Sequence, residues 1–299
     1  MPTPAAGTNF RFYWNTPFIL SPHNPSTIYL GGERMFKSMD RGNTYVMSED
    51  LTKNVGRNDR PIMGVDGKAP MASKHDGAAS YSNIVTIGES PLVPGIIWVG
   101  TNDGNLQVSR DSGNTWKNVV VAKVPLGESC VADGCSPDFY LGQTSVVRTA
   151  PGRLVFAYER PPTAGDPQQV YVKTSMDGGL TWSVGVPLSV AGENATGPRL
   201  ASSGGGDVRI WYMQTTGHDP DAWNVWYRSS PDGGVNWSPP VQISDAAPGA
   251  AGYVNANGFG EIYGDYGEVA ITSAGKTIAT WGEGFSYTGP GGTWFNIQS

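Results

Sequence analysis

With 299 residues, 41 of them glycine and 23 proline, and only 15% charged, the chain suits one large all-β domain or two smaller ones. A formal net charge of −6 without any cluster of lysine and arginine argues against nucleic acid as a partner. No apolar run approaches the roughly 18 residues of a membrane-spanning helix, and no His/Cys set has zinc spacing, so no membrane span, metal or cofactor is expected.

In chain order, the opening MPTPAAG has no basic-then-apolar leader, which leaves a cytoplasmic protein or an exported one whose leader is removed. NFRFYW, Asn9–Trp14, reads as a strand without a sheet of its own. Four β-rich runs follow: PFILSP, STIYLGG, MFKSMD and YVMSED. Residues 52–80 lack alternation and are rich in Gly, Ala and Asn, as a long functional loop or a linker would be. The second group of runs is NIVTIGESP, GIIWVGT, LQVSRD and TWKNVVV. Cys130 and Cys135 flank the turn VADG; a small-loop disulfide in an exported protein and two free thiols both fit. The third group is TSVVRTA, RLVFAYERP, QVYVKTS and WSVGVPLS, and the fourth is PRLASSG, DVRIWYMQT, NVWYRSS and WSPPVQIS. A second loop without alternation covers 245–265, and a fifth group, GEVAITSAG, KTIATWGEG and TWFNIQS, has three runs.

One octapeptide recurs four times: SMDRGNTY from Ser38, SRDSGNTW from Ser109, SMDGGLTW from Ser175 and SPDGGVNW from Ser230. Each copy separates the third and fourth runs of its group and has the chemistry of a hairpin turn. Asp111 can accept from the N–H groups of its own loop, and Gly113 suits a positive φ. Ser109 and Thr115 can tie the loop ends, and Trp116 anchors the next strand. A repeated four-strand unit with such turns predicts a β-propeller of five four-stranded blades in a single domain over 1–299. The orphan run Asn9–Trp14 is expected to complete the last blade by pairing with the Thr293–Gln298 strand.

The octapeptide resembles the Asp-box, or BNR repeat, of the sialidase-type and sortilin-type β-propellers. That resemblance implies that Asp40, Asp111, Asp177 and Asp232 sit in turns on the outer rim, away from the active site. The stretches from Trp14 to Trp116 look like part of the large secreted bacterial propellers related to sortilin. CSPDFYLGQTSVV and GDYGEVAITSAGKTIATWGEG are more similar to bacterial proteins grouped with the exo-sialidases. The fourth octapeptide departs from the pattern with Asn236, and the first ends in Tyr45. The sialidases' early Arg-Ile-Pro motif is missing as well: NFRFYWNTP supplies Arg11 but no Ile-Pro.

If the octapeptides lie on one face of the ring, the starts of first strands and the ends of second strands ring the opposite mouth. This places Glu159 and Arg160, Arg199, Asp265, Tyr266 and Glu268, and Glu283 around one opening, with His75 and Tyr253 from the long loops above it. Glycosidases set an acid and a base or nucleophile about the scissile bond, and the resemblance to sialidases implies a tyrosine nucleophile activated by a carboxylate. Tyr266 and Glu268, two apart on a strand, share a side and suit that pairing. Asp265 or Glu159 then serves as acid, with Arg160 and Arg199 as anion clamps. The leading expectation is a secreted or periplasmic, monomeric sialidase-like glycoside hydrolase acting on carbohydrate. A non-catalytic glycan- or peptide-binding propeller and a lyase acting on acidic polysaccharide are the alternatives.

Overall fold

The computed structural model describes the chain except residues 1, 5, 8, 60–65, 71–80, 124–143, 164, 245–252, 255–259, 262–266, 282–292 and 298–299. For 219–222, 253–254, 260–261 and 293–297 it describes the backbone alone. The chain divides into two compact units, Met1–Val121 and Ala122–Ser299.

In the first unit, β1 (Phe18–Leu20), β2 (Ile28–Gly31), β3 (Arg34–Ser38) and β4 (Val46–Asp50) pair in that order as an antiparallel meander. After a short 3-10 turn at Arg57–Asp59, β5 (Ile84–Glu89), β6 (Ile97–Thr101), β7 (Leu106–Ser109) and β8 (Lys117–Asn118) form a second. Sheets this small cannot bury their apolar faces alone. The first therefore sets Tyr29, Met35 and Leu51 against Ile84, Ile97 and Val99 of the second.

The second unit repeats the device. β9 (Thr144–Ala150), β10 (Arg153–Arg160), β11 (Gln169–Ser175) and β12 (Val186–Pro187) form one meander. β13 (Ala195–Gly204), β14 (Asp207–Thr216), β15 (Asp219–Ser230) and β16 (Val241–Gln242) form the next. β17 (Tyr253–Val254) and β18 (Gly260–Glu261) make a two-stranded ribbon inside the second long loop, which the sequence pattern did not foreshadow. β19 (Glu268–Ile271), β20 (Thr277–Trp281) and β21 (Thr293–Ile297) close the series as a three-stranded sheet. Val155, Ala157 and Val170 pack on Leu200, Val208 and Ile210, and on the far side of that sheet Trp211, Trp223 and Val225 pack on Val269, Ala279 and Trp281. The chain is all-β and of the β-propeller class, with five blades.

The octapeptides join the third and fourth strands of the first four blades: β3 to β4, β7 to β8, β11 to β12 and β15 to β16. Each turn is closed by the same bonds. Ser109 Oγ donates to Asp111 Oδ1 at 2.8 Å and accepts from the N–H of Gly113 at 2.8 Å, while the N–H of Thr115 donates to Asp111 Oδ1 at 2.8 Å. The third-strand serine, the aspartate and the residue four beyond it repeat this around Asp40, Asp177 and Asp232. In the fourth turn Asn236 replaces the threonine hydroxyl with its amide, Nδ2 donating to Asp232 Oδ2 at 2.6 Å. Gly113 has φ +90°, a backbone conformation that a side chain with a Cβ atom strains, so the turn favours glycine there.

The expected closure by Asn9–Trp14 is not how that run is used. Among the described residues it forms no strand. Its backbone bonds instead to the first blade: the N–H of Arg11 donates to Glu33 Oε2 at 2.7 Å, and Glu33 donates its own N–H to the Arg11 carbonyl at 3.1 Å. Phe10 and Phe12 both lie against Phe36, with centroids 4.8 and 5.7 Å away. An aromatic cluster, rather than a sheet edge, takes up these rings. The described partner of β21 is β20.

Candidate functional site

Strand β10 ends in Glu159 and Arg160, and alternation sends these neighbours to opposite faces of the sheet. Glu159 lies on the face with Val155 and Ala157, toward β13, and is 2% exposed. Its Oε2 accepts from Thr196 Oγ1 at 2.7 Å and from the N–H of Gly197 at 2.9 Å. Gly197 takes φ +66°, part of an irregularity in the β13 register between Thr196 and Arg199. The bulge turns the N–H of Gly197 toward the carboxylate.

Two residues on, Arg199 reaches the next blade. Its Nε donates to the Gly267 carbonyl at 2.9 Å, its Nη1 donates to the carbonyl of Pro198 at 3.1 Å, and its guanidinium lies 5.9 Å from the Trp211 ring centroid. Burial pulls the guanidinium down from its ordinary value, and the carboxylates of Glu268 and Glu159 oppose that shift. Trp211 Nε1 fixes the same segment by donating to the Glu268 carbonyl at 2.9 Å. Three blades thus converge within the second unit: the end of β10, the start of β13 and the start of β19. Glu268 is exposed at this junction.

Arg160 does not join them. Its guanidinium lies on the other face of β10, 4.9 Å from the centroid of Tyr171. A pairing of Arg160 with Arg199 as two clamps of one mouth is therefore not the arrangement found; strand alternation separates Arg160 from its neighbour Glu159. Asp265, Tyr266, Glu283 and His75, with Cys130 and Cys135, lie outside the described residues. Tyr253 is in β17, of which the backbone alone is described. Arg11 is occupied in the first unit, its Nη2 lying 3.2 Å from Asp50 Oδ2. Among the described residues no group of three or more His, Cys, Asp or Glu is placed to hold a metal ion, and no helix is long and apolar enough to cross a membrane.

Sequence reasoning missed Thr196, Gly197 and Trp211. The signal for Trp211 lay in Gly267: a methyl on that residue would lie 2.5 Å from the Trp211 ring and 2.9 Å from the Thr280 carbonyl. Gly267→Ala should consequently push β19 off the ring and destabilise the fold by about 1–3 kcal/mol, read as a lowered midpoint of urea denaturation.

No protein-family model matches the chain, and no curated protein matches it either. Solved structures similar to it include an α-L-arabinanase of Penicillium chrysogenum, at 13% identity and TM-score 0.45, covering 98% of this chain and 87% of that one. A GH74 enzyme of Niastella koreensis is similar at 16% identity and TM-score 0.45, over 95% of this chain and 38% of that one. The GH93 α-L-arabinofuranosidase of Fusarium graminearum, in complex with arabinobiose, has 16% identity and TM-score 0.43, over 96% and 83%. Similarity this low assigns no activity.

Proposed function

We propose that the chain is a secreted or periplasmic glycoside hydrolase of sialidase-like type, an Asp-box propeller acting as a single domain and as a monomer on glycan or polysaccharide. The observation that carries this reading is the bond from Arg199 of the fourth blade to the Gly267 carbonyl of the fifth. It fixes a cation beside Gly267, and in the sequence Asp265, Tyr266 and Glu268 all fall within two residues of that glycine. In this proposal Tyr266 attacks the anomeric carbon with Glu268 as the base that receives its proton. Asp265 protonates the departing glycosidic oxygen, and water then releases the sugar from the tyrosine. Arg199 favours an acidic substituent on the substrate. Glu283, His75 and Tyr253 belong to segments proposed to border the same opening.

Glu159, whose Oε2 accepts from two donors and which is almost wholly buried, fits a positioning residue for β13 and Arg199 better than a general acid. This also favours the second reading, a propeller that binds a glycan without cleaving it, because one carboxylate is withdrawn from the chemistry. A panel of chromogenic glycosides and acidic polysaccharides decides between them. Hydrolysis that disappears in Tyr266→Phe while the melting temperature stays put supports the enzyme. Full activity in that variant overturns the tyrosine mechanism, and binding with no turnover on any substrate favours the binder.

A further inference from the structure

The face of β10 opposite Glu159 carries a second set of groups that the proposed reaction does not use. Phe156, Tyr158 and Arg160 alternate along it, facing Tyr171 and Lys173 of β11 across the register Phe156↔Lys173 and Tyr158↔Tyr171. The rings form a continuous ladder: Trp182 meets Phe156 edge-on at 5.8 Å, Phe156 stacks on Tyr158 at 5.6 Å, and Tyr158 stacks on Tyr171 at 5.7 Å. Trp182 is the anchor of the third octapeptide, so the rim turn helps to build this surface.

A pocket of about 420 Å3 opens over the ladder, within the size range of clefts that take small ligands. Lys123, Arg160 and Lys173 line it together with Tyr158 and Trp182, and among the described residues no carboxylate does. Among the described residues none of the three cations has an ion pair. Arg160 Nε is buried with no hydrogen-bond partner among them, an arrangement that costs free energy unless something supplies an acceptor. Burial and the nearby Arg160 charge both push the Lys173 ammonium below its ordinary value. Cations collected without counter-charge are a binding feature rather than a stabilising one, because each raises the cost of the next. The half-buried ring of Trp182 beside them supplies a flat apolar surface of the kind sugar rings pack on.

Gly185 keeps the floor of the pocket open. A methyl there would run into the Tyr158 hydroxyl and lie 3.5 Å from Lys173 Cε.

We infer that this pocket on the third blade is a binding site for an acidic sugar unit, its carboxylate held by Arg160 and Lys173 and its ring packed on Trp182. The site is separate from the strand-end junction, since strand alternation sets Arg160 and Glu159 on opposite faces of one sheet. It would hold an acidic glycan to the protein without taking part in bond cleavage.

Titration calorimetry with trigalacturonate tests this, with a neutral galactose trimer and inorganic sulfate as comparison probes. Trigalacturonate should bind, more weakly as salt rises, and the neutral trimer should bind about tenfold more weakly or not at all. Arg160→Met and Lys173→Met should each weaken trigalacturonate binding about tenfold, the loss expected when a charge-assisted hydrogen bond is removed. Lys123→Ala, at an exposed position, serves as a third variant that leaves the sheet untouched and should weaken binding to a lesser degree. Lys173→Met should leave unchanged the hydrolysis of any small neutral chromogenic glycoside that the protein cleaves, which separates this pocket from the proposed active site. Equal binding of the neutral trimer, sulfate binding as tightly as trigalacturonate, or unchanged affinity in the cation variants would each overturn the inference. So would the absence of any trigalacturonate binding to the unaltered protein.

Discussion

Glu159→Ala should lower the stability of the second unit by about 3 kcal/mol, among the largest effects of any single substitution at the candidate site. The estimate comes from what the carboxylate leaves behind. Thr196 Oγ1 and the N–H of Gly197 both donate to one oxygen of a side chain that is 2% exposed, and removing that oxygen leaves the buried N–H of Gly197 without its acceptor. Arg199 also loses one of the two carboxylates that offset its burial. Glu159→Gln separates the contributions, since it keeps an acceptor for Thr196 and Gly197 but removes the charge. Urea denaturation should therefore place Gln between wild type and Ala. A Gln variant as unstable as Ala would mean that charge compensation of Arg199, not the hydrogen bonds, dominates. An Ala variant with an unchanged midpoint would remove Glu159 from the framework of the site altogether.

The legible and illegible parts of this site differ for a physical reason. Glu159 and Arg199 could be located by asking which strand ends lie opposite the octapeptide turns, because a meander fixes which end of each strand faces which way. Arg160 shared that end, yet alternation along LVFAYER already set it on the other face, beside Phe156 and Tyr158. That signal was present and underused: F, Y and R at every second position, with Y and K opposite in QVYVKTS, mark a face that is polar and aromatic together. By contrast, nothing local in NFRFYW distinguishes an edge strand from a segment whose two phenylalanines pack on Phe36. Burial against a distant residue decides that case, and its partner lies outside the run. The blades themselves were the most readable part, since each strand is short, alternates, and ends at a turn whose bonds are all local. The ribbon β17–β18 is the converse, two residues a side in a stretch without alternation.

The four octapeptide aspartates should make the fold sensitive to acid in one defined window. Each is held down from the ordinary 3.8 to about 2. The leading cause is the backbone N–H of Thr44 for Asp40, the Thr115 hydroxyl for Asp111, the Thr181 hydroxyl for Asp177 and the backbone N–H of Asn236 for Asp232. A carboxylate whose folded value is depressed adds stability that is present above its unfolded value and lost as pH falls through the folded one. The four turns should thus lose their contribution together between roughly pH 4 and pH 2. Protonation leaves each aspartate with one good acceptor oxygen and turns the other into a donor group, and asparagine likewise sets one acceptor oxygen beside a donor amide. A chain carrying Asp40→Asn, Asp111→Asn, Asp177→Asn and Asp232→Asn should therefore melt well below wild type at neutral pH and converge with it near pH 2. Thermal melts across that range read the effect directly, and the two curves should differ in slope only inside the window. Parallel curves from neutral pH to pH 2 would mean that the turns owe their stability to glycine and serine geometry and that the carboxylate charge contributes little. Activity per folded molecule at neutral pH should be nearly equal in the two chains, because the turns lie at the β3–β4, β7–β8, β11–β12 and β15–β16 hairpins, whereas the proposed chemistry belongs to the start of β19. A fourfold variant that kept its melting temperature and lost turnover would reverse that assignment and bring the octapeptide aspartates into the reaction.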